Sequence, residues 1–316
     1  MNNADTETLH IAVAFDENYI TPIYVLLTSI FMNNKQNRLR IHAIATGVDE
    51  AERNKIALYT KQNNASIVFY DISNFDLSFF VLRPDSHFTL ATYYRLFFPA
   101  LIPENIDKLL YLDSDIVVIG DLKKFTDFDL GSCPVAAIED ITAKARPELG
   151  IYDKSQYFNA GVLLINVAEW KRQCVMEKSF QYLQDFPERL KWQDQDTLNA
   201  VLANNWYKLD KRFNVGYYDI PKFLARKHYN EFIKDKIIIH YTSGVHKPWQ
   251  MLGQNKLRYL YHDYLKQSPH AHVKKYTDFK LTAPNLFSFA RTRVIEALLQ
   301  YPRLNFLVRK WTGAKD

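Results

Sequence analysis

Leu109-Leu110-Tyr111-Leu112-Asp113-Ser114-Asp115-Ile116-Val117-Val118 sets two carboxylates, one residue apart, inside an apolar run that reads as a buried strand. An unpartnered buried carboxylate costs several kcal/mol, so the chain has to give this pair a partner. Two acidic oxygen donors at the end of a buried strand suit a hard divalent cation such as Mn²⁺ or Mg²⁺. A cation held there can in turn hold the phosphates of a nucleotide, so catalysis on a nucleotide-linked substrate is the leading expectation.

Working outward, apolar runs alternate with helical spacing from residue 9 to about 240, which predicts an α/β fold with a mixed, mostly parallel sheet covered by helices. The expected strands are Leu9–Ala14, Leu39–Ala45, Ser66–Tyr70, Leu109–Leu112, Pro134–Ile138, Gly161–Ile165 and Lys236–His240. Helical spacing covers Tyr19–Asn33, Asp49–Gln62, Thr89–Leu101, Val175–Phe186 and Asp194–Ala203. The composition changes near residue 268. The catalytic domain is therefore expected over 1–267, and 268–316 is expected to be a basic, aromatic C-terminal segment. There, Lys274, Lys275, Lys280, Arg291, Arg293, Arg303, Arg309, Lys310 and Lys315 face only Asp278, Glu296 and Asp316. Bulky apolar residues interleave with them, the composition of a helix lying on an anionic membrane surface. The plainer alternative is a helical cap packed on the domain. On the membrane reading, deleting 268–316 is expected to leave catalysis intact.

The 316 residues are 47% hydrophobic and 15% aromatic, enough for a sizeable core with aromatic surface left for sugars or a membrane interface. A net charge of +5 suits a phosphate-bearing substrate but is too small to argue for nucleic acid. Cys133 and Cys174 lack metal-ligand spacing and are expected to lie inert in the core of a protein from a reducing compartment. The polar start and the lack of a long apolar run predict neither a signal peptide nor a membrane span.

An acidic pair after an apolar strand serves two chemistries. In haloacid-dehalogenase-type phosphatases the first Asp of DxDx(T/V) is a nucleophile and the second an acid, and Asp113–Val117 fits that pattern. That strand usually opens its domain, however, and here about a hundred residues of α/β pattern precede it. In nucleotide-sugar glycosyltransferases the pair binds a metal after a complete nucleotide-binding half, as here. His240, closing another apolar run, offers a third ligand, although a lone histidine there is more often a satisfied core residue. Gly244 and Lys247-Pro248-Trp249 follow it, offering backbone N–H groups and a positive charge to a diphosphate. Asp16 and Asn18 stand where the first strand enters a helix. They can reach a base or ribose, or simply cap that helix. No GxGxxG occurs, which argues against a dinucleotide site. Asn159-Ala160-Gly161 lets a substrate approach the backbone. Gln193-Asp194-Gln195-Asp196 offers amides and acids to sugar hydroxyls, with Asp194 otherwise read as an N-cap.

In this order the pieces resemble glycosyltransferase family 8 over roughly residues 9–266. The resemblance rests on AxDxNY at Ala14–Tyr19, TYYRL at Thr92–Leu96, YLDSD at Tyr111–Asp115, FNAGVLLIN at Phe158–Asn166, QDQDTLN at Gln193–Asn199, RFN at Arg212–Asn214 and the His240 to Trp249 loop. It is strongest to the bacterial lipooligosaccharide α-galactosyltransferase and lipopolysaccharide core glycosyltransferase branch. The resemblance implies a metal-dependent, retaining enzyme of GT-A fold that uses a UDP-sugar, UDP-galactose or UDP-glucose. Asp113, Asp115 and His240 would be the Mn²⁺ or Mg²⁺ ligands, with Ser114 between them. Ala14, Asp16 and Asn18 would contact uridine and ribose, and Arg95 the donor. Asn159, Ala160, Asp194 and Gln195 would line the donor sugar, Gly244 and Lys247 would hold the diphosphate, and His87 would stand near donor and acceptor. Where the family usually reads HYxGxxKPW, this chain has one residue more between His240 and Lys247.

The implied reaction moves a hexose to a hydroxyl of a cell-surface glycan, foremost lipopolysaccharide or lipooligosaccharide, with a glycoprotein or capsule acceptor as the alternative. The enzyme would be cytoplasmic and peripheral on the inner face of the membrane. The catalytic position is Gln195, a poor nucleophile, which favours same-face internal return over a covalent intermediate on Asp194. A non-catalytic sugar-binding protein and the phosphatase are the rivals from other classes.

Overall fold

The computed structural model describes residues 8–77, 80, 89–222, 224–278, 280–299, 301 and 304. The sheet grows around β1 (Leu9–Asp16), where Ile11, Val13 and Phe15 face one hydrophobic layer and Ala12 and Ala14 the other. A strand covered on both faces needs no polar alternation, hence the unbroken apolar run. After α1 (Ile20–Asn33) come β2 (Leu39–Thr46), α2 (Glu50–Gln62) and β3 (Ala65–Phe69). The chain then passes through a 3₁₀ segment, Leu90–Leu96, and α3 (Phe98–Leu101) to β4 (Lys108–Leu112) and β5 (Ile116–Val118). Next follow β6 (Val135–Glu139), β7 (Phe158–Asn166), α4 (Val167–Arg172), α5 (Val175–Asp185), α6 (Gln193–Val201) and β8 (Tyr207–Lys208). The last elements are α7 (Tyr229–Ile233), β9 (Ile238–His240), α8 (Arg258–Gln267) and α9 (Ala283–Leu299).

The main sheet runs β3-β2-β1-β4-β7-β6-β8, and β5 pairs with β9 in a separate ribbon. β3, β2, β1 and β4 are mutually parallel, while β7 runs antiparallel to both β4 and β6. Each predicted strand is present to within a few residues, with three differences of substance. The opening run is two strands in two sheets, split by Asp113–Asp115, because β5 turns away to pair with β9. The last strand accordingly lies outside the main sheet and starts at Ile238. The helix expected over Thr89–Leu101 breaks at Phe97, since the Pro99 ring would collide with the Arg95 carbonyl in a continuous α-helix.

The cysteines are not in the core. Cys174 is exposed at a left-handed turn (φ 54°) between α4 and α5, and Cys133 is half-buried. Beyond residue 268 the chain touches the domain at several points. The His270 ring sits 4.2 Å from that of Tyr24 and its Nδ1 is 2.9 Å from Thr21 Oγ1, while Thr292 and Ile295 of α9 are buried. Among the described residues no helix is long and apolar enough to cross a membrane. His87 and most of the tail beyond residue 301 lie outside the described residues.

Candidate active site

β1 and β4 are neighbours whose onward connections leave in opposite directions, the switch point where open α/β sheets bind ligands. A cleft of about 1180 Å³ opens there, lined among others by Ala14, Asp16, Tyr19, Asp140, Trp192 and Gln195. The acidic pair and His240 line it too.

Three pieces of backbone bring the cluster together. Asp113 N–H donates to the Gly161 carbonyl at 2.9 Å, tying the end of β4 to β7. Ile116 pairs in register with His240, so the ribbon holds Asp115 beside the histidine. His240 N–H donates to Val215 O at 2.9 Å. Ligand atoms of Asp113, Asp115 and His240 then lie within 4.8 Å of one another. His240 Nε2 is 3.1 Å from Asp115 Oδ1 and 3.8 Å from Asp113 Oδ2. Two carboxylates and one imidazole nitrogen are the donor set of a hard-to-borderline divalent cation. Gly161 lies directly beneath: a Cβ there would stand 2.2 Å from His240 Cε1 and 2.6 Å from Asp113 Oδ2. The close approach that requires glycine is made by the protein's own metal-site side chains.

Positive charge surrounds the carboxylates. The Lys247 ammonium donates to Asp115 Oδ2 and, at 2.7 Å, to the Tyr241 carbonyl. Burial pushes the Asp115 carboxyl up, but Lys247 and His240 outweigh it and hold the group well below the ordinary carboxylate range. The extra residue between His240 and Lys247 is absorbed in a turn closed by His246 N–H on Ser243 O, and Lys247 still reaches the acidic pair. Gly244 lines the same wall, and its carbonyl accepts from Gln250 Nε2 at 3.1 Å.

Arg95, buried in the 3₁₀ segment, links the two halves. Its guanidinium donates to Asp113 Oδ1 at 2.9 Å, to the Ala160 carbonyl and to Thr92 O, and its Nε is 2.8 Å from Asp194 Oδ2. Tyr111 adds a 2.9 Å bond to Asp113 Oδ1 and a ring 4.6 Å from the guanidinium. Asp194 Oδ1 accepts from the Thr92 hydroxyl at 2.5 Å. Burial nevertheless lifts the Asp194 carboxyl to about 6 against the pull of Arg95. Asp194 is not the cap of α6. No side chain caps α6; Asp196, inside its first turn, instead reaches back to the Lys191 and Trp192 N–H groups and accepts from Arg146 and Tyr157.

Asp16 does cap the turn after β1, accepting from Asn18 N–H at 2.8 Å, while its side chain also lines the cleft. Asn18 points away: it is exposed and not among the cleft-lining residues. Ala160 is fully buried and contributes only backbone groups. Sequence reasoning passed over Tyr19, Asp140 and Tyr157. Tyr19 closed a quoted motif and Asp140 stood two residues past an expected strand end, positions that can be recognised only once neighbouring strands are aligned.

With this geometry in place, comparison with known proteins decides the family. The pattern described as Glycosyl transferase family 8 matches residues 10–253. The chain belongs to that family. Its relatives include general stress protein A of Bacillus subtilis strain 168, 31% identical over 270 residues that cover 82% of this chain and 93% of the relative. A lipopolysaccharide 1,2-glucosyltransferase of Escherichia coli is 32% identical, covering 78% of this chain and 74% of its own. Among solved structures, the galactosyltransferase LgtC in complex with donor and acceptor sugar analogues superposes with a TM-score of 0.71 at 27% identity, covering 83% of this chain and 96% of that one. The protein is a family 8 glycosyltransferase of GT-A fold. Membership also disposes of the phosphatase reading of Asp113 and Asp115.

Proposed function

We propose that this glycosyltransferase moves galactose or glucose from a UDP-sugar to a hydroxyl of a lipopolysaccharide or lipooligosaccharide acceptor, with retention and with Mn²⁺ or Mg²⁺. The observation that carries the reading is the convergence of Asp113, Asp115 and His240 on one point of a cleft at the sheet's switch point. Relatives named for lipopolysaccharide glucosyl transfer and for galactosyl transfer support the choice of sugars and acceptor. Asp113, Asp115 and His240 would hold the cation, which when bound neutralises charge growing on the departing diphosphate. Lys247, whose ammonium already neutralises Asp115, lies on the same wall and would pass to the diphosphate. Ala14, Asp16 and Tyr19 would flank the nucleotide, with Asn159, Gln195 and Asp194 beside the sugar.

Every polar atom of the Gln195 amide is committed to protein. Its Oε1 accepts from Ala160 N–H and Asn159 Nδ2, and its Nε2 donates toward Asp140 and Tyr157. Asp194 Oδ1 accepts from Thr92, while Oδ2 is ion-paired with Arg95 but accepts no hydrogen bond. These ties favour a same-face route. The bond from anomeric carbon to diphosphate oxygen breaks, the acceptor hydroxyl forms the new bond on that face, and its proton passes to the departing phosphate. A glycosyl adduct on Asp194 detected by mass spectrometry would reverse this. Screening UDP-sugars for Mn²⁺-dependent hydrolysis tests the donor assignment, and no turnover of UDP-galactose or UDP-glucose would overturn it.

The enzyme would work at the inner face of the cytoplasmic membrane. The outward side of α9 supports this, with Leu286, Phe287 and Val294 exposed beside Arg291. Replacing Leu286 and Phe287 by Glu is expected to abolish co-sedimentation with anionic liposomes while sparing hydrolysis. Continued binding would count against α9 as the attachment.

A further inference from the structure

The His240 ring lies between two side-chain oxygens. Nε2 faces Asp115 Oδ1, and Nδ1 is 3.1 Å from Asn214 Oδ1. Amide oxygen and nitrogen have the same shape, so the direction of the Asn214 amide has to be read from partners that admit only one role. Backbone N–H groups are such partners. Gly161 N–H donates to Asn159 Oδ1 at 3.1 Å, so that atom is the oxygen. The Asn214 group 2.9 Å from the same oxygen is then the NH₂. Its other terminal atom, the one facing His240, is the carbonyl oxygen, and Nδ1 must carry the proton. A second backbone donor orients the far end. Ala160 N–H donates to Gln195 Oε1 at 3.1 Å, and Asn159 Nδ2 donates to that oxygen at 3.2 Å. The direction of every bond from His240 to Gln195 follows from two main-chain N–H groups.

We infer that Asn214 is a positioning residue. It supplies the acceptor for His240 Nδ1–H, turns Nε2 toward the two carboxylates, where a bound cation would take its lone pair, and through Asn159 joins the cation site to Gln195 on the sugar wall. Asn214 is buried, and its backbone is pinned beside β9: Val215 N–H donates to Ile238 O at 3.0 Å and Val215 O accepts from His240 N–H. The side chain therefore has little freedom to point elsewhere. A histidine that ligates a metal gains basicity and orientation from the acceptor on its other nitrogen, and losing such a partner typically costs ~10–100-fold in metal affinity. This inference rests on the proposed cation site.

The test compares the unaltered protein with Asn214→Leu and Asn214→Asp. Asn214→Asp keeps an oxygen for the His240 N–H but loses the NH₂ that Asn159 accepts. Two readouts avoid turnover: the ¹⁵N NMR signature of His240 Nδ1 in the metal-free protein, and Mn²⁺ binding without donor by electron paramagnetic resonance. The unaltered protein and Asn214→Asp should show a protonated Nδ1. Asn214→Leu should move the proton to Nε2, toward Asp115, and weaken Mn²⁺ by ~10–100-fold. Asn214→Asp should bind Mn²⁺ as the unaltered protein does and still lose kcat, because the link to Gln195 is cut. An Nε2–H tautomer in the unaltered protein would overturn the inference. So would unchanged Mn²⁺ affinity in a folded Asn214→Leu variant. If the unaltered protein takes up no Mn²⁺, the cation-site reading fails, and the tautomer of the unaltered protein and of Asn214→Asp still decides what Asn214 does.

Discussion

At Gly161 the demand for a missing side chain can be read as a distance. A methyl group there would collide with His240 Cε1 and the Asp113 carboxylate, neither of which can retreat without breaking the cluster. Gly161→Ala is expected to lower Mn²⁺-dependent donor hydrolysis by ~100-fold or more, the scale set by ångström displacements in active sites. Near-normal hydrolysis would mean that the cluster tolerates rearrangement. Asp115→Asn removes the carboxylate shared by His240 and Lys247, and should abolish the Mn²⁺-dependent hydrolysis while leaving the fold measurable by circular dichroism. The types and order of these residues were legible in the sequence, since acid-x-acid after an apolar run asks for a cation whatever surrounds it. The exposure of Asn18, the burial of Ala160 and the inward turn of Asp194 toward Thr92 and Arg95 were not. Each depends on what packs around the side chain, which neighbouring elements decide.

Among the elements, α9 and the strap before it act on the loop that carries Lys247. Arg293 Nη2 donates to the carbonyls of Met251 and Gly253, Arg258 Nη1 donates to Gly253 O, and Asp278 accepts from Met251 N–H. Thr277 N–H caps Trp249 O at 3.0 Å. The composition change near residue 268 announced a separable segment, yet removing it would strip Arg293, Asp278 and Thr277 from the loop, leaving only Arg258 of α8. Deletion of 268–316 is therefore expected to disturb the loop as well as any membrane contact, which is why surface substitutions on α9 are the cleaner membrane test. Arg293→Ala should raise donor KM several-fold with a smaller effect on kcat, because buried loop carbonyls lose donors worth roughly 1 kcal/mol each. An unchanged KM would show the loop to be held without α9. The strands were readable from their apolar runs because burial on both faces leaves a continuous signature. The separate ribbon was not, since β5 and β9 are three residues each and pair across 120 residues of chain.

Over the whole molecule, two buried imidazoles weaken the fold in acid, partly offset by Asp194, whose raised carboxyl takes up its proton more readily in the folded chain. His42 Nδ1 lies 2.7 Å from Tyr70 OH and its Nε2 meets His10; burial pulls it down to about 3. Burial also pulls His262 down to about 3, and neither of its ring nitrogens meets a hydrogen-bond partner. For both, the unfolded chain takes up protons near pH 6.5 while the folded one does not. Their stabilising contribution is therefore complete above that pH and is lost as pH falls toward 3. Urea unfolding at pH 5.5 should show a loss of up to about 1 kcal/mol per histidine relative to pH 7.5. His262→Phe should flatten the dependence, and an unchanged slope would refute the assignment. By itself the sequence determined the α/β class, the family and the residues that meet at the site, because hydrophobic period and motif order are local properties. Only the tertiary structure decided that the acidic pair divides two sheets, that Gly161 makes room for His240, and that the tail braces the loop carrying Lys247. Each of these turns on which distant backbones come within hydrogen-bonding distance, and separation along the chain carries no record of that.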